Sequence, residues 1–521
     1  MNGFFERRPR LAFALLVTLV LAASAATVAP SLDGGFLNWD DDRFVTENPR
    51  VAGLSAENLA WAFGGARFES YQPLHIVSYM IDGALWPGWA PGYRLHGLAL
   101  YLASVVLLLL LLSRLDIEPV PAALGTLLFA LLPYHAESVA WIAGRKDVLS
   151  LLLALLSWHA HLSAGGGGPP RRIGFTALSA LLLGAALLAK SAALTVVPMI
   201  WVADVLLRGD RPWRSLLPLL PHGLLAAAGA VIVALLWSGS DLIREPPVPG
   251  TLGRIGLVGW TAWHYLSTVA WPFALSPLYA VPGPERLVAG AVATGALLLV
   301  LAALAFAARR RSRHLHAGPV VAGAWFAFGI APFINIVPLY YLVADRYLLF
   351  PSLGVALAVA LAARSILLFR HPGRRALAGG AMLLVALSFG VVRTDECRAH
   401  RDSRTLWEHA VEREPEAFFA RLKLAETLRV AGESERAALQ YREARRIDPG
   451  SRLALMGLLF AELLVDATNL PEAEANDLLL RFGAAADDDR ALLRLEARLR
   501  QLGCARAAAV VRERLAERRS R

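Results

Sequence analysis

The sequence predicts an all-α protein in two parts, a polytopic membrane part of about eleven crossings and then a water-exposed domain of helical hairpins. Three observations predict this. The 521 residues are 56% hydrophobic with a mean hydropathy of +0.49, too apolar for a chain that sits wholly in water. Apolar runs of membrane-crossing length recur from Leu11 to about residue 392. From about Asp402 the apolar positions recur with helical period and proline returns at a repeat distance. The division is expected between 1–393 and 394–521.

A net charge of +10 would suit a nucleic-acid binder, but the arginines sit largely in short loops between apolar runs and in the tail helices. Membrane orientation explains such an excess, and no nucleic-acid motif is present. Cys397 and Cys504 are the only cysteines, both assigned to the tail. They exclude a disulfide framework or a cysteine metal site and leave one tail disulfide open.

Arg7, Arg8, Pro9 and Arg10 precede an apolar span from Leu11 to about Val28, the charge order of a helix whose N-terminus stays in the cytoplasm. Ala23-Ser24-Ala25 also reads as a signal-peptide cleavage site, but the many spans that follow favour an uncleaved first helix. Residues 30–94 form a polar, aromatic outer loop with Trp39, Trp61, Phe63, Tyr71, Trp86, Trp89 and Tyr93, expected as amphipathic helices at the outer interface. Further runs lie at about 95–113, 119–142, 147–163, 173–189, 191–207, 215–237, 286–308, 318–340, 344–363 and 376–392.

The basic loops Arg171–Arg172, Arg208–Arg214, Arg309–Arg313 and Arg370–Arg375 all face the cytoplasm if the run Ile255–Leu275 does not cross. That run holds Trp260, Trp263, His264, Tyr265, Trp271 and Pro272, which suits a re-entrant or surface helix. An odd number of crossings then leaves the tail outside the cell membrane.

The candidate chemistry starts at Asn38, Trp39, Asp40, Asp41 and Asp42. Three successive carboxylates beyond a membrane exit repel one another and must be solvated, paired or bound to a ligand. A solvated loop or a helix N-cap would satisfy them, as would a site. The same outer level carries cations against the orientation bias: Arg145 and Lys146 in PYHAESVAWIAGRKD, Lys190 between two tightly joined spans, and Arg346 in VADRYLLFPSLG. Partly desolvated there, they need anionic partners, either carboxylates or a phosphate whose lipid tail lies among the helices. His135 and Glu137 share that level, and with the Asp cluster they leave a divalent metal open, although a hydrogen-bonded loop is the commoner meaning of such a pair.

In the tail, Leu424, Ala425, Leu428, Ala437, Tyr441, Ala444 and Pro449 have tetratricopeptide spacing. One period of 34 residues earlier, Ser403, Trp407, Ala410 and Pro415 repeat the second half of the unit. The pattern decays after Gly457, while helices continue through Leu492, Leu495, Leu499 and Val510.

WDDDRFVTENP, YQPLHIVSYMID, PYHAESVAWIAGRKD, AKSAALTVVPMIWVAD, ADRYLLFPSLG and the following repeats resemble, in that order, the transmembrane and tetratricopeptide-repeat protein O-mannosyltransferases, members of the GT-C glycosyltransferases. The chain looks like a bacterial-type member with a short repeat tail. It departs from the pattern at Ser191, where glutamate is frequent.

The resemblance implies a GT-C-type membrane domain, and inverting transfer of a monosaccharide, mannose first, from a polyprenyl phosphate to Ser or Thr of exported polypeptides. It implies Asp40 or Asp41 as base, Arg145, Lys146, Lys190 and Arg346 on the donor phosphate, and Trp39, Asp42, His135, Glu137 and Tyr347 around the sugar and acceptor. No cofactor is required on this reading, the tail would engage the acceptor, and the protein would lie in the inner (plasma) membrane with the tail extracytoplasmic. The alternatives are a GT-C transferase acting on a lipid or envelope glycan, and a non-catalytic membrane scaffold.

Overall fold

A computed structural model describes residues 9–68, 70–165, 168–237, 248–311, 317–466 and 488–519, with single positions between 474 and 482. Arg7, Arg8 and Arg313 lie outside the described residues. The chain divides into two units, one of residues 1–277 and 281–402, the other of Ser403–Arg521 with the short segment Leu278–Ala280. The boundary expected at 393/394 falls inside the continuous helix Pro372–Ala399.

Among the described residues the regular elements of the first unit are helices, apart from one isolated bridge between Arg67 and Ser70. Among the described residues seven helices are long and apolar enough to cross a membrane, Pro119–Leu131 with Pro133–Ala140 makes a further span bent by 60°, and Ser191–Leu206, Ala317–Phe333 and Ser352–Leu367 are shorter apolar helices. Of the roughly eleven crossings expected, at most eight are long and apolar enough among the described residues, and the runs at 191–207, 318–340 and 344–363 correspond to the three shorter helices. Residues 255–275 lie mostly in one helix, Gly250–Ala270, which is too polar to count with the spans.

Lipid is as apolar as leucine, so membrane helices associate through close packing rather than through the hydrophobic effect. Glycine supplies the closeness here. A Cβ on Gly125 would stand 2.4 Å from the Ala356 carbonyl oxygen, so Pro119–Leu131 and Ser352–Leu367 touch backbone to backbone. Beside them Trp158 meets Trp325 edge to face at 4.8 Å, both fully buried. Gly125→Leu should therefore force these two helices apart at a cost of about 1–3 kcal/mol. A thermal-unfolding midpoint unchanged from wild type in the same detergent would contradict the contact.

Prolines punctuate the spans where the site is built. Pro133 has no N–H to donate and its ring crowds the carbonyl four residues back, so the helix that ends at Leu131 turns by 60° and resumes at Ala136. Backbone groups released by such a break must find partners inside the protein, because the hydrocarbon has none to offer. Those of residues 140–143 are met by the first loop and its neighbours, as described below.

The loop of residues 30–89 departs from the expectation of interfacial helices. Ala56–Phe63, capped by Ser55 Oγ accepting from Asn58 N at 3.1 Å, is largely accessible. Pro73–Leu85 is instead packed inward, with His75, Ile76, Tyr79, Met80 and Asp82 buried. Its two polar anchors, His75 and Asp82, interrupt the apolar face and have buried partners of their own.

In the second unit, Ser403–Arg413, Phe418–Val430, Ser434–Ile447 and Arg452–Asp466 follow one another as packed helices, with Asp489–Gln501 and Ala505–Arg519 beyond. Trp407, Ala410, Leu424, Ala425, Leu428, Ala437, Tyr441 and Ala444 are all buried, as tetratricopeptide spacing requires. Gly457 lies against the Tyr441 ring. Both cysteines are free buried thiols, and Cys397 belongs to the helix Pro372–Ala399 of the first unit, so the tail disulfide left open by the sequence is not formed.

Candidate active site

Asp41 is fully buried, yet neither of its oxygens is idle: Oδ2 accepts from Leu37 N and Oδ1 from Ala143 N, both at 2.9 Å. The first bond closes the loop on itself. The second ties it to the segment freed by Pro133. Trp141 adds a third stitch, its indole donating to the Trp39 carbonyl at 2.8 Å while the two rings stack at 4.1 Å and 10°. Arg94 adds a fourth, donating to Gly35 O at 2.6 Å and to Ala140 O. The acidic motif and the broken helix are thus one structural object.

This anchoring holds Asp40 in an unusual backbone conformation. Its φ of +66° lies in the left-handed region, which aspartate tolerates better than most residues but which still costs energy. Such strain persists where surrounding bonds over-determine it, and it concentrates at functional sites. The Asp40 side chain is partly exposed, and among the described residues its carboxylate takes no hydrogen bond and no ion pair. Asp42 opens a single π-type turn, Asp42–Thr46, and its Oδ1 accepts from Arg43 N at 2.8 Å.

The four cations expected on a phosphate divide three to one. Arg145 is buried against Asp82, with further bonds to Tyr93 O at 2.6 Å and Ser78 O at 3.3 Å, so its guanidinium is committed within the protein. Lys190 pairs with Asp147. Arg346 pairs with Glu137, which also accepts from the Arg346 backbone N–H at 3.0 Å. Lys146 makes no salt bridge among the described residues, and Asp40 is the carboxylate whose charge acts on it most strongly. Its ammonium stands 5.4 Å from the Phe44 ring centre and 5.7 Å from that of Trp141, a cation–π seat that leaves its hydrogen-bonding capacity open.

Arg346 faces the rings of Tyr347 at 5.2 Å, Tyr341 at 5.4 Å, Trp141 at 5.5 Å and Trp39 at 5.7 Å. Tyr347 stacks on Phe333 at 4.2 Å and shows Lys190 its face at 5.6 Å. The site is therefore an aromatic chamber with three cations, two committed carboxylates and the strained Asp40.

Two expected pocket residues are placed otherwise. His135 is buried between Tyr101 OH and Ser352 Oγ, each 2.9 Å from a ring nitrogen, and its ring meets Phe129 edge to face; it is a core histidine. Glu137 is consumed by Arg346. Among the described residues no three His, Cys, Asp or Glu side chains are grouped to hold a metal.

The carboxylates that occupy the cations, Asp82 and Asp147, escaped the sequence reading although both lie in the quoted motifs. Asp147 directly follows Lys146, and a charge count over GRKD would have found it. Arg94 and His75 carried no such signal.

Burial pushes the Asp41 carboxyl up to about 7, against the opposing pull of its backbone N–H partners and Arg94. A carboxyl raised in the folded state contributes stability fully present below its unfolded value of about 4 and lost as pH rises through about 7. Wild-type thermal stability should accordingly fall between about pH 4 and pH 7 and level off above, and Asp41→Asn should remove that slope. The same variant should cost about 1–3 kcal/mol at every pH, because an amide NH2 cannot accept from a second buried backbone N–H. An identical pH slope in wild type and variant would contradict the assignment.

No family model matches the chain. Human protein O-mannosyl-transferase TMTC1 is 27% identical over 512 aligned residues, covering 86% of this chain and 57% of that protein. Mouse TMTC4 is 29% identical over 208 residues, 35% of this chain and 28% of that protein, and Drosophila melanogaster Tmtc1 is 32% identical over 192 residues, 34% and 21%. The chain thus spans little more than half the length of the first of these relatives. ArnT from Cupriavidus metallidurans, solved with undecaprenyl phosphate, aligns over 79% of this chain and 80% of its own at 15% identity and a TM-score of 0.34, a likeness too slight to carry an argument. Over most of its length, this chain is similar to the transmembrane and tetratricopeptide-repeat protein O-mannosyl-transferases.

Proposed function

We propose that the protein is a membrane glycosyltransferase of GT-C type, moving a monosaccharide, mannose first, from a polyprenyl phosphate to the hydroxyl of Ser or Thr on exported polypeptides. The observation that supports this best is that a strained carboxylate free of hydrogen bonds among the described residues, Asp40, is the strongest charge acting on a cation without a salt bridge, Lys146, at the junction of the first loop and the broken helix. A hydroxyl is a poor nucleophile until a base takes its proton, and an open carboxylate supplies that base. As the bond from the anomeric carbon to the phosphate breaks, charge collects on the departing phosphate, and a cation already in place offsets it. Attack on the face opposite the phosphate inverts the anomeric centre.

On this reading Asp40 is the base and Asp41 the positioning residue. Lys146 meets the phosphate, with Lys190 and Arg346 adding their field from behind, while Trp39, Trp141 and Tyr347 wall the sugar and Asp42 lies at the acceptor side. Arg145, His135 and Glu137 hold the scaffold. No cofactor is needed for this chemistry. The chamber would open outside the inner (plasma) membrane, with the helical-repeat unit in the same compartment to receive the polypeptide.

The test is Lys146→Met, which keeps the length of the side chain and its aromatic contacts. It should weaken binding of polyprenyl phosphate at least tenfold, a change of about 1.4 kcal/mol, as read by native mass spectrometry. Binding equal to wild type would refute the phosphate assignment.

A further inference from the structure

His75 is a buried polar group beside this site that the mechanism leaves unused. Its ring is fully buried on the inward face of Pro73–Leu85, edge to face with Phe44 at 5.1 Å. Phe44 is the ring over which the Lys146 ammonium lies. Neighbouring hydrogen bonds fix the tautomer. Tyr79 OH donates to Ile142 O at 2.7 Å, so its oxygen is left to accept, and the ring nitrogen 2.6 Å away, Nε2, must carry the proton. Nδ1 is then a bare lone pair, and it has no hydrogen-bond partner among the described residues.

A buried acceptor left empty costs about 1–3 kcal/mol, so it is expected to receive a donor at some stage of the protein's work. Burial first, and then the charges of Lys146, Arg145 and Lys190, hold the ring neutral. A neutral acceptor in that position can take a hydrogen bond without drawing a counter-charge away from a phosphate. The sugar of the donor is bonded directly to that phosphate, so its ring hydroxyls are the O–H groups brought nearest.

We propose that His75 Nδ1 is a sugar-binding acceptor that takes a hydrogen bond from a ring hydroxyl of the donor's hexose. The assignment rests on the transferase reading above, and it adds a residue that sorts the sugar from the bare lipid phosphate. The acceptor hydroxyl belongs at Asp40 instead, since only the carboxylate there can remove its proton.

Two substitutions separate this role from a structural one. His75→Gln places an amide N–H where Nε2 was, keeps the bond to Tyr79 and removes the acceptor at Nδ1. His75→Asn places an amide oxygen near Nδ1 and gives up the bond to Tyr79. Binding of polyprenyl phosphate and of polyprenyl-phosphate mannose to purified full-length protein is measured for each by native mass spectrometry.

The expected result is that wild type prefers the mannosylated lipid, His75→Gln loses about tenfold for it with unchanged affinity for the bare phosphate, and His75→Asn stays nearer wild type. If His75→Gln retains the wild-type preference, or weakens both lipids equally, the assignment is overturned while the transferase reading stands. If His75→Asn is the more damaged variant, the ring serves only to hold Tyr79 and the assignment also fails. A wild-type protein that binds neither lipid overturns the transferase reading and this assignment together.

Discussion

Asp40→Asn should abolish most transfer from the lipid-linked donor, by about 10²–10⁴-fold, while leaving expression, membrane insertion and the thermal midpoint close to wild type. Each half of that expectation has a structural cause. Asparagine tolerates the left-handed backbone at this position nearly as well as aspartate does, so the strain is not relieved and the loop has no reason to rearrange. The carboxylate takes no bond from the described residues, so its replacement orphans no buried donor. What the amide cannot do is accept a proton. Full turnover in Asp40→Asn, measured with purified enzyme and a Ser/Thr peptide, would remove Asp40 from the chemistry.

The opposite pattern is expected at Glu137. Removing it leaves the Arg346 guanidinium buried with one charged partner gone and an unmet backbone N–H beside it. Breaking a buried pair from one side typically costs about 3–5 kcal/mol, far more than the pair contributes when both members are replaced. Glu137→Ala should therefore lower the thermal midpoint sharply, and Glu137→Leu combined with Arg346→Leu should recover most of the loss. The four aromatic rings around the guanidinium soften the penalty without abolishing it. A single variant as stable as wild type would show that Arg346 finds another anion, and its place behind the donor phosphate would then need revision.

Much of this architecture was legible in the sequence because it depends on period and composition. Runs of crossing length and the repeat positions from Trp407 to Ala444 needed only counting. The loop from residue 30 misled because amphipathic spacing does not say what covers the apolar face; in Pro73–Leu85 the cover is protein, anchored by Asp82 and His75.

The site was half legible for a related reason. Carboxylates and cations on one level were visible, but which of them cancel depends on where Pro133 turns the chain. Asp82 lies 63 residues before Arg145 and Glu137 lies 209 before Arg346, and no local pattern joins such pairs. His135 looked like a ligand because a histidine beside a glutamate is all that a sequence shows. In the fold its two nitrogens are taken by Tyr101 and Ser352. The distinction between Asp40 and Asp41 is likewise tertiary, since it rests on Ala143 N reaching one carboxylate and not the other.

On this reading a lipid-linked sugar phosphate is held between the first loop and the broken helix. A structure of the full-length protein with a bound polyprenyl-phosphate sugar measures this directly. The expected result is a phosphate against the Lys146 ammonium, with the anomeric carbon turned towards Asp40. A phosphate seated elsewhere, with Lys146 and Asp40 both facing solvent, would contradict it.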